Sequence, residues 1–330
     1  MNEILTRSPE SSEVQPSAET IKIDGRGVVS SVGFLVDGKH VVSGSDEKKI
    51  RHWRIKDGKE VGTPMDTGYG AYGMAVSRDG KWIVIATWKS VQVWSAKSRK
   101  KVTEVREHTQ WVYAVDVSPD STRIATGSDD KTACVWSLST GQRLLGPWKY
   151  DDSVFAVKFS PDGRFIATAT KTFIRIYDGR DGNLVVDVPI QVTFSPNHSL
   201  AWSSNGKQLF VVSSGKIICL DASTGATLSQ WSIHDNEDNR IALASDGAFI
   251  AASAGPSLSF WDAATHKQIG PVVQHAAYVV SMAISANHIA IGGPNSITLC
   301  RLCDILPLSY CDTVSTFESR TRFAAQRTMS

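Results

Sequence analysis

His108-Thr109-Gln110-Trp111-Val112 begins a segment that continues through Ser118-Pro119-Asp120 and Ile124-Ala125-Thr126-Gly127-Ser128-Asp129-Asp130-Lys131-Thr132 to Val135-Trp136. Apolar side chains fall on alternate positions at Val115 and Val117, a turn follows at Pro119-Asp120, and Ile124 opens a second short run that closes on small residues. Period-two apolar spacing interrupted by turn residues predicts strands. Val135-Trp136 ends a third strand, and a second turn stands at Thr140-Gly141.

The same grammar spreads in both directions. The turn signal recurs at Asp37-Gly38, Asp79-Gly80, Asp120, Asp162-Gly163, Asn205-Gly206, Asp246-Gly247 and Asn287, at separations of 42, 41, 42, 43, 41 and 41 residues. Each is preceded by a strand with one apolar column at Val32, Met74, Val115, Val157, Leu200, Ile241 and Met282, and a second two residues on. After each turn comes an aliphatic column at Val41, Ile83, Ile124, Ile166, Leu209, Ile250 and Ile289, and the third strands end at Trp53, Trp94, Trp136, Tyr177, Leu220, Trp261 and Cys300. A period of this length built from four short strands is the signature of a ring of stacked blades, and an all-β sandwich does not repeat so regularly.

These residues resemble the WD40 family, whose repeat of about 40–45 residues carries Gly-His near its start and Trp-Asp near its end. The resemblance runs from about residue 20 to residue 302. It implies an all-β fold, a single seven-bladed β-propeller of four-stranded antiparallel blades. In that family each repeat supplies the outer strand of one blade and the inner strands of the next, so the last blade needs an outer strand from the N-terminus. Thr20-Ile21-Lys22-Ile23 stands ready to be that closing strand. Residues 1–19, rich in Ser, Glu and Pro, and residues 303–330, rich in Ser, Thr and Arg, are expected to be disordered tails on either side of a propeller of residues 20–302.

Bulk composition narrows the partners. With 35 Lys+Arg against 33 Asp+Glu there is no global field to recruit nucleic acid or an anionic membrane. An odd set of five cysteines and the lack of a basic region followed by an apolar run at the N-terminus point to a reducing interior, cytoplasmic with the nucleus left open. Runs such as Ile83-Val84-Ile85-Ala86 are strand length, far short of the ~20 apolar residues that cross a bilayer.

The family resemblance also implies a buried network in which the repeat-start His, a Ser or Thr of the second strand, the turn Asp and the third-strand Trp are hydrogen-bonded. Only the third repeat holds the full set: His108, Thr126 or Ser128, Asp130 and Trp136. Elsewhere Gly25, Thr67, Tyr150 and Thr193 replace the His, although His234 and His275 keep it, and Glu47 replaces the Asp in the first repeat. Those blades are expected to rely on apolar packing.

Several motifs dissolve on inspection. Gly68-Tyr69-Gly70-Ala71-Tyr72-Gly73 has dinucleotide-binding spacing, but the strand Met74-Ala75-Val76 follows it where a phosphate-holding helix would be required. Cys300-Arg301-Leu302-Cys303 lacks the second pair that a zinc site needs, so Cys300 reads as a core thiol. Neither a Gly-x-Ser-x-Gly elbow nor a phosphate-cradling Gly-Lys-Ser/Thr loop is present. No cofactor, metal or catalytic constellation is expected, and the chain reads as a non-enzyme.

In the family the usual binding surface is the face made by loops entering the first strands and joining the second strands to the third. Tyr72, Tyr113 and Phe155 occupy one column there, with Trp88 and Trp111 near them, and aromatic groups of this kind anchor interfaces. Rings packed between blades would produce the same column. Asp151, Asp152, Asp235, Glu237 and Asp238 are expected on the same face as an acidic sector suited to a basic peptide. On the opposite face Lys97, Arg99, Lys100 and Lys101 form a short basic run, read as a solvated turn or a contact for a phosphate-bearing partner. The leading expectation is a protein-interaction scaffold or adaptor, monomeric within a larger complex. The alternatives are a recognition module of a NACHT-type signalling system and, less favoured, a propeller enzyme acting in its central channel, where the inner strands offer Ser, Thr and Ala.

Overall fold

In the third repeat the alternating pattern becomes four strands, Val112–Val117, Arg123–Ser128, Thr132–Ser137 and Arg143–Lys149, hydrogen-bonded antiparallel in chain order. The register sets Ile124 opposite Trp136 and Thr126 opposite Cys134. Sheets of the same order make six blades and a seventh borrows its outer strand from the N-terminus, so the chain is an all-β propeller in the computed structural model, which describes residues 20–192, 199–233, 239–307 and 309–310.

The recurring turn signal has a local cause. In Ser118-Pro119-Asp120 the Asp120 carboxylate accepts from Ser118 Oγ at 2.5 Å and from the Thr122 backbone N–H at 3.1 Å, and Ser160 with Asp162 repeats this at 2.6 and 3.0 Å. A short acidic side chain folded onto its own backbone fixes the turn that joins the first strand to the second. The second strands end in small residues because the neighbouring blade lies against them. A methyl group on Gly127 would sit 2.8 Å from the Val154 side chain and carbonyl, and one on Gly44 would sit 2.7 Å from Ala71 Cβ.

The seventh blade joins the two ends of the chain. It consists of Ser281–Ile284, two arms of the long strand His288–Arg301, and Thr20–Val28 on the outside. One arm sets Ile289 against Ile284, and the other sets Ile297 against Ile23 and Leu299 against Ile21. Beneath this seam Ile23, Val29, Val32, Val41, Trp53, Ile297 and Leu299 form one buried cluster shared by the last blade and the first.

Packing continues past residue 302, where the sequence analysis placed the end of the propeller. Leu302–Asp304 is a 3-10 turn, Leu306 is buried with Phe249, Phe260 and Ile269, and the Tyr310 hydroxyl donates to Asp262 at 2.7 Å. Leu302 and Leu306 are four residues apart on a tight turn, which puts both against the same core. Residues 1–19, 308 and 311–330, and with them most of the two expected tails, lie outside the described residues.

Candidate functional site

The third blade gathers its network around one hydroxyl. Thr126 Oγ1, fully buried, lies 2.8 Å from His108 Nε2 and accepts from Trp136 Nε1 at 2.9 Å. His108 Nδ1 lies 2.8 Å from the Asp130 carboxylate, which also accepts from Thr132 Oγ1 at 2.6 Å and from the Thr109 N–H at 3.0 Å. Burial works against the Asp130 charge, but the bonds from His108, Thr132 and Thr109 outweigh it and hold the carboxyl at about 2. Of the two hydroxyl candidates, Thr126 is the hub. Ser128 does a neighbouring job: its Oγ donates to the Trp111 carbonyl at 2.9 Å and accepts from the Asp130 N–H at 3.1 Å.

The other blades correct the expectation that apolar packing alone serves them. In blade four Tyr150 stands where His would, and its hydroxyl reaches Thr168 Oγ1 at 2.8 Å. In blade seven His275 Nε2 meets Thr298 Oγ1 at 2.8 Å. Trp53 donates to Ser43 Oγ at 2.8 Å, Trp94 to Gln92 at 3.0 Å and Trp261 to Ser259 Oγ at 2.9 Å. A buried indole N–H needs an acceptor: blade one supplies it from the second strand, ten residues before the Trp as in blade three, and blades two and six supply it from the third strand, two residues before the Trp. Cys300 is buried as expected of a core thiol, and that burial pushes its pKa up to about 11.

The upper face, made by the loops entering first strands and joining second to third strands, carries an aromatic group on blades two and three. Tyr72 and Trp111 meet edge to face with centroids 4.6 Å apart, and Tyr69 and Trp88 lie 5.7 Å apart. A backbone bridge between Trp88 and Trp111 ties the two pairs together. Trp88 is 39% exposed and Tyr69 42%, and Lys89 Nζ sits 4.7 Å above the Trp88 ring. Tyr113 is half-buried; burial and then the Asp129 carboxylate raise its pKa, as burial and then Asp46 raise that of Tyr72. Asp129 accepts from Ser153 Oγ, Asp152 caps the Ser153 N–H at 2.7 Å, and exposed Asp151 offers its carbonyl to Lys131 Nζ at 2.9 Å. The rings thus stand between Asp46 on one side and Asp129, Asp151 and Asp152 on the other.

Phe155 departs from this group. It is fully buried among Ala156, Ala167, Ala169 and Leu200, so no partner reaches it. Lacking a hydroxyl, its ring has no polar group to keep near solvent, whereas Tyr72 and Tyr113 in the same column are half-buried. Asp235, Glu237 and Asp238 lie outside the described residues. Tyr69 and Asp46, which the column reading missed, sit in loops just off the repeat's apolar columns.

The central channel also differs from expectation. Its lower end is a cavity of about 820 Å³, and the position between the two apolar columns of each first strand lines it. That position is Gly33, Ala75, Ala201, Ala242 and Ala283 in five blades but Asp116 and Lys158 in blades three and four. The two side chains pair across the gap at 3.5 Å, Asp116 also accepts from the Phe159 N–H at 2.8 Å, and Arg78 donates to the Pro161 carbonyl at 3.2 Å. These contacts join blades two, three and four to one another. Among the described residues no group of three or more His, Cys, Asp or Glu is placed to hold a metal ion, and no helix is long and apolar enough to cross a membrane.

Comparison with known proteins agrees with the geometry. The family model described as WD domain, G-beta repeat matches residues 19–54, 99–137 and 143–178. The chain is similar to a WD repeat domain-containing protein 83 homolog of Dictyostelium discoideum, 26% identical over 36% of this chain and 37% of that protein. It is also similar to Protein SPA1-RELATED 4 of Arabidopsis thaliana, 29% identical over 33% of this chain and 15% of that one, and to human apoptotic protease-activating factor 1, 40% identical over 15% and 4%. The chain thus spans little more than a third of the relatives' own length at most. With three stretches matched as WD repeats, a similar WD repeat domain-containing protein and seven blades closed by an N-terminal strand, the chain is a β-propeller carrying WD40 repeats, a fold that serves in general as a scaffold for protein interactions.

Proposed function

We propose that this protein is a non-catalytic adaptor whose upper face, between Asp46 and Asp152, docks a partner protein through a basic segment. One observation carries the reading: exposed Trp88 and Tyr69 adjoin the Tyr72–Trp111 pair on a face where Asp46, Asp129, Asp151 and Asp152 flank the rings. Rigid aromatic groups supply contact area at low entropic cost, and nearby carboxylates select a cationic partner and speed its approach. The partner's lysines or arginines would compete with Lys89 for the Trp88 ring, where a cation already rests.

The test is affinity capture from native lysate with wild type beside a Trp111→Ala, Tyr113→Ala double variant, followed by titration of each recovered partner. Truncating interface anchors typically costs about 2 kcal/mol or more, a weakening of about thirtyfold. Recovery of the same partners with unchanged affinity would place the docking surface elsewhere. A second reading draws on the stretch shared with apoptotic protease-activating factor 1, in which the disc recognises a signal on behalf of a NACHT-type ATPase. Co-purification of a nucleotide-hydrolysing partner separates it from the adaptor.

A further inference from the structure

The lower face carries a groove at the closure seam that the upper-face reading does not use. It lies between blades seven and one, has a volume of about 470 Å³, and is lined by Ile21 and Leu299 from the closing sheet, Ile55 and Gly38 from blade one, His288, and four cations: Lys39, Arg54, Lys56 and Arg301. No carboxylate lines it among the described residues. Arg54 is neutralised from outside by Asp57 at 2.6 Å and Arg301 by Asp304 at 3.0 Å. Lys39 and Lys56 are exposed and pair with no carboxylate among the described residues, which leaves the rim with a net positive charge. The floor is of another character: Ile55 and Leu299 are buried apolar side chains and Ile21 is half-buried.

We propose that this seam groove binds an acidic peptide segment of a partner protein, with one aliphatic side chain on the Ile21–Ile55–Leu299 floor and flanking carboxylates on Lys39 and Lys56. Charge complementarity selects the sign of the partner, and the volume falls within the range of about 300–1,000 Å³ of ordinary ligand pockets. The floor selects peptide over nucleic acid. Single strands bind through stacking on aromatic rings, and among the described residues no aromatic ring other than the His288 imidazole lines this groove. Because the two lysines extend from turns of blade one while the floor comes partly from the last blade, an occupant would bridge the two ends of the chain where the ring closes.

The test uses the full chain and a fluorescein-labelled peptide with leucine between two pairs of glutamates, titrated by fluorescence anisotropy. Binding is expected to weaken about tenfold in a Lys39→Gln, Lys56→Gln variant. It should be unchanged in Lys97→Gln, Lys100→Gln, which removes two exposed lysines of the same face outside the groove. Replacing the leucine of the probe by serine should weaken binding severalfold, and thermal unfolding of both variants should match wild type, since all four lysines are exposed. Equal losses in the two variants, indifference to the leucine, or equally tight binding of a short oligonucleotide would overturn the proposal. A monomer–dimer equilibrium abolished by the groove substitutions would also overturn it, because the groove would then belong to a second copy.

Discussion

Deletion of Thr20–Val28 is expected to leave a chain that no longer unfolds cooperatively. The strand supplies the outer edge of the seventh blade, pairing Thr20 through Asp24 with Cys300 through Ser296. Its removal exposes the backbone of an inner strand, which becomes a template for aggregation, and strips the cover from Ile297 and Leu299 while losing Ile23 itself. Each such aliphatic contributes about 1.5–3 kcal/mol through burial, so the three together approach the ~5–15 kcal/mol by which a folded domain exceeds its unfolded state. The loss falls at the one place where the ring is held by pairing between distant parts of the chain rather than by a hairpin. Calorimetry and circular dichroism of the deletion should show no sharp transition. Ile23→Asp provides a milder version: it keeps the strand but places a charge in the shared cluster, and should lower stability by about 3–5 kcal/mol. A deletion that melts sharply at the wild-type temperature would show that the seam does not hold the ring.

The repeat spacing made the architecture legible, because each blade must bury both faces against neighbours and so restates the same apolar columns. Ile21 and Ile23 could be read as the closing strand because the seventh repeat runs out near Leu302 with its outer strand missing. A column shows which residues occupy equivalent places, but not how far each side chain reaches into its neighbours. Tyr72, Tyr113 and Phe155 share a column, yet the first two are half-buried while Phe155 is fully buried in a cluster that includes Leu200 of the next blade. The channel pair was open to discovery and was missed. Asp116 and Lys158 stand at the same place in successive repeats, between the apolar columns, where five other blades have only Gly or Ala. Two opposite charges at a small-residue position one repeat apart are a signal that neighbouring first strands face each other across the channel. Substitute hydrogen bonds such as Tyr150 to Thr168 were hidden for a different reason, since they conserve the demand of a buried polar group and not its spelling.

Thr126→Val is expected to be the most damaging near-isosteric change in the propeller. The substitution keeps shape and removes one hydroxyl, but that hydroxyl serves both His108 Nε2 and Trp136 Nε1 in a fully buried setting. Two ring nitrogens would be left without partners, at about 1–3 kcal/mol each, so a loss of about 2–5 kcal/mol should appear as a lower denaturation midpoint with an unchanged slope. Thr168→Val in blade four removes one of two side-chain partners of the Tyr150 hydroxyl, Tyr177 being the other, and should cost less than half as much. The acid limb gives a second readout of the same network. Because the Asp130 carboxyl is held at about 2 in the folded state, below its ordinary 3.8, its ionisation contributes stability that is complete above pH 3.8 and disappears as pH falls through 2. Asp130→Asn should therefore lower stability at neutral pH and flatten its fall across that window, while Thr126→Val lowers stability at neutral pH and leaves the carboxylate's contacts with Thr132 and Thr109 in place. If Thr126→Val unfolds within about 0.5 kcal/mol of wild type, the buried network is not what fixes the third blade, and the apolar contacts of Ile124 and Trp136 carry it alone.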